Sequence, residues 1–532
     1  MRRPNVILFM ADQLSALTLR AYGNKTVLAP NIGAFSERGV TFRNAYCNFP
    51  ICAPSRYTML TGRLPHAIDA FDNAAELPAS VPTLMHYLRR LDYRTTLAGK
   101  MHFVGPDQLH GYHERLVTDI YPADFAWVPD WKAGPRNAPT GINMRAVVEA
   151  GWCLRSLQID YDEESAFLAS QKLWDLARQS RDEPFFLTVS LTHPHTPFTA
   201  SKAHWDRYDH ERIDMPATPP IPLDQLDTHS RWLYYSHGRD RMTVTDEHVR
   251  NARHAYYAMT SYIDDKFGEM MAVLQQARLL DDTIIVFTAD HGDMQGERGM
   301  WFKQTFFENS TRVPLILGGP GLPKGKVVEQ NVSLVDLMPT LLALVDDGRV
   351  DTVTPIEGAD MTRLATATDP DWSDRVVSEY SDMGVCAPCR MVREGHYKYI
   401  YTHGHPALLF DLASDPRERE NLSGQPRFTE IEQRLAASML RDWDPAAVNE
   451  RVLASQANRQ LIWNVVRKDV RDNWSYEFRK GDKLRFVRGG GDQEGTNAVK
   501  GRARFPFVTP VPLSDPRPIP DFESSSTERQ RP

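Results

Sequence analysis

Apolar residues in the first two-thirds of the chain fall in short, nearly unbroken runs, and polar residues follow each run at once. Residues 6–10, 93–98, 185–191 and 283–288 are mostly apolar or β-branched and about one strand long. Runs of this kind, without polar alternation, predict strands buried on both faces. Between them, residues 164–177 and 247–274 carry apolar positions at helical spacing. That alternation predicts an α/β architecture, a mostly parallel central sheet sandwiched by helices. A further strand is predicted at 313–317, where Pro314 points to an edge or to a strand start.

Near residue 370 the pattern changes. Residues 375–380, 389–393, 397–402 and 408–411 read as short strands separated by turn residues, and 429–443 as a helix with Ile431, Leu435 and Met439 on one face. The expected organisation is a large α/β domain over 1–370, a smaller C-terminal domain with an antiparallel sheet and helix over 371–488, and an arm with a tail over 489–532. The arm, Pro-rich over 505–520, cannot build its own core and is expected to lie extended on this subunit or a neighbour. Residues 523–532 are expected to be disordered.

Composition narrows the classes. The chain has 532 residues, 42% hydrophobic and 25% charged, which suits a soluble globular protein of two domains. A net charge of -7 and a pI near 6.2 leave no nucleic-acid footprint. No apolar run reaches membrane-spanning length. The opening Met1-Arg2-Arg3 and its apolar run are followed immediately by Ala11-Asp12-Gln13, which reads as a first buried strand rather than a signal peptide. A cytoplasmic location is expected, and five cysteines fit a reducing compartment. Cys386 and Cys389 have C-x-x-C spacing, but no second pair or His cluster completes a zinc site. They are expected to be chemically quiet.

In open parallel sheets, ligands bind beyond the carboxyl ends of the strands. The four buried runs are followed by Asp12-Gln13, by Gly99-Lys100-Met101-His102, by Thr192-His193-Pro194-His195 and by Asp290-His291-Gly292-Asp293. One Asp after a strand is ordinarily a helix cap. Four strands delivering acids, His or Lys to one edge make a constellation. Asp12, Asp290, His291 and the amide oxygen of Gln13 form an oxygen-rich set suited to a hard divalent cation, Ca²⁺ foremost, with Mg²⁺ or Mn²⁺ as alternatives. Arg56, Lys100, His102, His195 and Lys303 form a cationic and proton-carrying set.

Between the first two runs stands Cys52-Ala53-Pro54-Ser55-Arg56, continuing to Gly62 as C-A-P-S-R-Y-T-M-L-T-G. This resembles the signature of type I sulfatases of the alkaline phosphatase superfamily. In that family a formylglycine-generating enzyme oxidises the Cys to an aldehyde, which hydrates to a gem-diol. A thiolate is soft and readily oxidised, whereas the hydrate is a hard oxygen nucleophile that can regenerate itself. The resemblance implies a divalent ion on Asp12, Gln13, Asp290, His291 and residue 52, with Gln13 standing where many members carry a second Asp. It implies in-line attack of the diol oxygen on sulfur, with Asp290 accepting its proton. His195 and Lys303 would serve the leaving alcohol, and His102 would take the proton whose loss expels sulfate. Arg56 and Lys100 would orient residue 52. Fixed cations and a metal stabilise charge spreading over sulfate oxygens best where water is excluded. Phe410-Asp411-Leu412, with Asp415-Pro416, Glu418 and Asn421-Leu422, also resembles sulfatase C-terminal domains.

The likeness narrows to choline-sulfatase-like enzymes over 46–48, 57–64, 70–75, 99–112, 119–124, from 379 onward and 442–459. Such enzymes hold a quaternary ammonium with an aromatic face and carboxylates, as cation–π physics requires. Asn73 and Trp127 match pocket positions. Met383 stands where the group has Glu, unless the neighbouring Asp382 supplies the acid. Ser475 replaces an Asp and Ile142 a His. An ammonium lacking those acids is poorly compensated in a desolvated pocket, so choline O-sulfate and a neutral or differently charged small alkyl sulfate both stay open. The region around Trp474, far from the catalytic half, implies a lid or a neighbour's contribution, and with the arm it points to a homo-oligomer, a dimer or tetramer. Two other readings are weighed against this one. A phosphonate monoester or phosphodiester hydrolase would use the same ion and aldehyde. A binding-only pseudo-enzyme would keep Cys52 unconverted, and the intact metal, Lys, His and Cys set argues against it.

Overall fold

The computed structural model describes residues 3–178, 183–367, 369–466 and 504–519. Eight strands form the main sheet: β1 (Asn5–Ala11), β2 (Val40–Tyr46), β3 (Arg94–Gly99), β4 (Glu114–Arg115), β5 (Phe185–Leu191), β6 (Thr283–Ala289), β7 (Leu315–Gly318) and β8 (Lys326–Ser333). Their order across the sheet is β8-β2-β7-β6-β1-β5-β3-β4. The four strands expected from the unbroken apolar runs are the contiguous centre, β6-β1-β5-β3, all mutually parallel. Every residue of β1, β5 and β6 is buried. The rings of Phe9, Phe267 and Phe287 meet with centroids 5.2–5.8 Å apart, and each contributes about 1.5–3 kcal/mol by burial.

The register sets the site. Ala11 pairs with both Leu191 and Ala289, and Gly99 with Ser190, so the four central strands end level with one another. Asp12, Lys100, Thr192 and Asp290 therefore leave the sheet at one height. The turn after β3 needs its glycine: Gly99 has φ +102°, and a Cβ there would meet the Ser190 carbonyl oxygen at 2.0 Å.

The strand expected at 313–317 exists as β7, but not at an edge. It lies between β6 and β2, antiparallel to both. Pro314 precedes the first ladder residue, so its missing N–H costs the sheet nothing, and its carbonyl accepts from Thr288 Oγ1 at 2.8 Å. β2 and β8 carry polar residues among their apolar ones, on partly exposed faces, so no unbroken apolar run marks them. The expected helices lie inside α2 (Leu157–Arg178) and α3 (Asp246–Gln276). A shorter helix, α1 (Cys52–Thr61), follows β2 and is buried at every residue.

A second sheet, antiparallel throughout, contains β9 (Arg375–Tyr380), β10 (Cys389–Glu394), β11 (Tyr397–Thr402) and β12 (Leu408–Asp411) in that order. Helix α4 (Thr429–Leu440) packs on it, ending before the predicted 443, and α5 (Pro445–Val466) follows. The free thiols of Cys386 and Cys389 are pushed up to about 12 by burial, far from the reactive thiolate range. Residues 504–519 of the arm lie on this same chain. Phe505 pairs with Arg155, and the side chains of Arg145, Arg241 and Arg136 donate to the carbonyls of Val511, Ser514 and Arg517. Ser475, Trp474 and the expected disordered end at 523–532 lie outside the described residues.

Candidate active site

Cys52 is the first residue of α1 and is 1% exposed. The N-terminus of a helix leaves backbone N–H groups unpaired and favours negative charge. One of them, Ala53 N, donates to Asn73 Oδ1 at 2.9 Å. Around the thiol stand the groups that the strand ends deliver. His291 Nε2 is 3.3 Å from Cys52 Sγ, Lys303 Nζ 3.5 Å and Asp12 Oδ1 3.7 Å. Burial alone would push the thiol up, but Lys100, Lys303 and His291 hold it well below its ordinary value.

Asp12, Cys52, Asp290 and His291 each point one ligand atom into a common space, all within 4.8 Å of one another and all buried. The two carboxylates are braced from behind. Arg56 Nε donates to Asp290 Oδ2 at 2.8 Å, and its Nη1 to the Lys100 carbonyl and Ser190 Oγ at 2.7 and 2.9 Å. Lys100 Nζ pairs with Asp12 Oδ2 and lies 4.2 Å above the Tyr121 ring. Burial opposes its charge, yet Asp12 and the thiol keep the Lys100 ammonium above its ordinary value. Asp290 Oδ1 accepts from the backbone N–H of Gln13 and of His291, each at 3.0 Å. Arg56 and Lys100 thus act on the two acids and fix where their remaining oxygens point.

The amide of Gln13 is oriented on both sides. Its Nε2 donates to Asp293, and its Oε1 accepts from Lys303 Nζ at 2.7 Å. Burial lifts the Asp293 carboxyl to about 7. Lys303 Nζ also meets His195 Nε2 at 2.5 Å, while His195 Nδ1 faces the Thr196 carbonyl at 2.6 Å. Lys303 and His195 therefore form a linked pair beside residue 52. On the other side, His102 has φ +62° and its N–H is held by Asp119 Oδ2 at 2.7 Å. Beyond its approach to the thiol, its ring nitrogens make no hydrogen bond. Burial keeps this ring below the usual imidazole range, in the neutral form that accepts a proton.

A small, narrow pocket opens over this cluster. Lys303 and His195 stand at its reactive end, and Ile51, Tyr121, Trp127, Ile142 and Met383 form its apolar wall. Asn73, Thr140 and Gln304 complete it. Asn73, Trp127 and Met383, expected from the sequence, are in the lining. Asp382 is not. Its carboxyl sits behind the wall, accepting from the N–H of Asn73 at 3.0 Å and of Met383 at 2.6 Å. Tyr121 and Gln304 were given no role from the sequence, where nothing distinguishes them from ordinary packing residues, and Asp293 stood in the Asp290-His291-Gly292-Asp293 run without an assigned role.

Behind the pocket, α5 reaches the same loop. Arg459 grips Asp72 with two bonds of 2.6 Å, and Asp72 is fully buried beside Asp382. Asp72 precedes Asn73, which holds the start of α1. Removing one partner of a buried pair strands the other charge and costs about 3–5 kcal/mol. Arg459→Met is expected to lower stability by about that much in a denaturant melt. The double variant with Asp72→Asn should recover part of the loss, and equal stability of single and double variants would deny the coupling.

A family model described as Sulfatase matches residues 4–347, and one described as N-sulphoglucosamine sulphohydrolase, C-terminal, matches 296–443. A choline-sulfatase of Rhizobium meliloti (strain 1021) is 41% identical over 91% of this chain and 96% of its own length. Human arylsulfatase K is 29% identical over 81% of this chain and 80% of its own. Among solved structures, the phosphonate monoester hydrolase of Agrobacterium radiobacter superposes with a TM-score of 0.68 at 24% identity, covering 82% of this chain and 95% of that one.

Proposed function

The chain belongs to the sulfatase family of the alkaline phosphatase superfamily, and from that membership we propose that its buried site hydrolyses small alkyl sulfate esters, choline O-sulfate or a related ester, through a formylglycine at position 52 and a divalent cation beside it. Overall, one ester and one water become one alcohol and one hydrogen sulfate. The observation that carries the reading is the convergence of Asp12, Asp290 and His291 on the residue that begins the C-A-P-S-R motif.

The donor set fits the cation. Two carboxylate oxygens and one imidazole, buried and within 4.8 Å of the residue 52 atom, suit a hard ion, Ca²⁺ first and Mg²⁺ or Mn²⁺ next. Cys52 Sγ marks the place of the formylglycine that a formylglycine-generating enzyme would install. When present, the ion and the aldehyde hydrate supply a Lewis acid and a hard oxygen nucleophile.

This chain's own residues supply the rest. Arg56 and Lys100 hold Asp290 and Asp12 in place. Against those two acids the cluster sets three cations, Arg56, Lys100 and Lys303, so it is already positive enough to bind a sulfate monoanion in a water-poor site. Lys303 Nζ faces the pocket, where it can donate to a leaving alkoxide, and His195 Nε2, accepting from that ammonium, holds it in place. A ring nitrogen of His102, neutral and unclaimed by other bonds, can take a proton beside residue 52. The α1 N-terminus adds a fixed dipole aimed at the same point.

The test uses protein whose conversion at position 52 is measured by peptide mass. Turnover of 4-nitrophenyl sulfate and of a phenyl phosphonate monoester is compared. A kcat/KM for the sulfate higher by about tenfold or more supports the proposal. The reverse preference would make the enzyme a phosphonate hydrolase on the shared fold.

A further inference from the structure

The pocket wall carries information about the alcohol. Among the described residues no carboxylate lines it, and the charged or chargeable groups that do, Lys303 and His195, stand at the sulfate end. The remaining wall is built by Ile51, Trp127, Ile142 and Met383 together with Tyr121.

Polar atoms of the lining are engaged by neighbours in and behind the wall. Asn73 Oδ1 takes the Ala53 N–H. Thr140 Oγ1 donates to Met383 Sδ at 3.2 Å. The Gln304 amide is held by His237 Nε2 at 2.6 Å and donates to the Met383 carbonyl. The Tyr121 ring already carries the Lys100 ammonium on one face. The nearest acids lie behind the wall and are used there. Asp382 accepts two backbone N–H groups, and Asp72 is paired with Arg459. Burial, reinforced by Asp72, raises the Asp382 carboxyl well above its ordinary value, which favours its neutral acid.

Resting on the sulfatase reading above, we propose that the alcohol part of the substrate is small, uncharged and apolar, so that this pocket selects neutral alkyl sulfates over esters bearing a quaternary ammonium. A buried ammonium must shed water, and among the described residues of this lining it would find an indole, a nearby lysine and no acid. Ring-face attraction alone is weaker than that desolvation. A branched alkyl group of the same shape gains from the same wall by burying apolar surface.

Two isosteres separate the cases. Choline O-sulfate and 3,3-dimethylbutyl sulfate have the same shape and differ in the charge at the branched centre. With converted enzyme, the neutral ester should have the higher kcat/KM by at least about tenfold. In Met383→Glu the added carboxylate should shift that ratio toward choline O-sulfate by at least about tenfold, while Met383→Leu should keep the original ratio. Preference of the unsubstituted enzyme for choline O-sulfate overturns the proposal, whether or not Met383→Glu folds. An unchanged ratio in a folded Met383→Glu overturns it too. Cleavage of 4-nitrophenyl sulfate but of neither isostere would reject the apolar-alcohol assignment and leave the sulfatase reading standing. Failure to cleave any sulfate ester would remove both.

Discussion

Cys52→Ala should lower kcat/KM toward a sulfate ester by about 10⁴-fold or more, the scale of losing a covalent nucleophile, while the protein still folds. The side chain is small and sits at a helix start, so its loss opens little space in the core. The informative comparison is with unconverted Cys52. The structure gives that thiol every reason to ionise, with Lys100, Lys303 and His291 around it and the α1 N-terminus beneath it. If a thiolate sufficed for the chemistry, protein made without the maturation enzyme would be active. The expectation is the opposite: activity should rise in proportion to the fraction of residue 52 found as formylglycine, and unconverted protein should match Cys52→Ala. Full activity of unconverted protein would assign the nucleophile to sulfur. Equal activity of all three forms would move the chemistry away from residue 52.

How much of this was readable before the structure depends on the kind of signal. The strands that build the site are buried on both faces, so burial wrote itself into β1, β5 and β6 as unbroken apolar runs. The polar residues at their ends were legible for the same reason, since nothing else interrupts such runs. β2 and β8 have partly exposed faces and mixed sequences, and their pattern did not stand out. The orientation of β7 depends on its partners rather than on its own residues, so Pro314 suggested an edge that does not exist. The pocket was legible only in part. Met383 and Ile142 could be placed in the lining, but the position of Asp382 behind the wall follows from backbone hydrogen bonds that no spacing encodes. The Arg459–Asp72 pair joins residues 387 apart in sequence, and the pairing leaves no local trace.

Asp12→Asn should raise the cation concentration needed for half-maximal activity by at least about a hundredfold, since even the outer partners of metal ligands are worth 10–100-fold in affinity. The argument is geometric. Asp12 Oδ2 faces Lys100 and Arg56, and Oδ1 faces the space shared with Cys52 and His291. An amide has one oxygen for these two tasks. Turned toward Lys100, it presents its NH₂ to the cation. Turned toward the cation, it presents its NH₂ to two buried positive groups. Either orientation weakens the site, and the lost charge leaves Lys100 and Arg56 with Asp290 as their remaining acid. Two measurements check this. In the unsubstituted protein a chelator should abolish turnover and lower the melting temperature, and added Ca²⁺ should restore both. In Asp12→Asn the melting temperature should respond to Ca²⁺ only at much higher concentration, and activity should recover over that same range. Turnover that survives exhaustive chelation would show that the two carboxylates serve the buried lysine and arginine alone, with the ion playing no part.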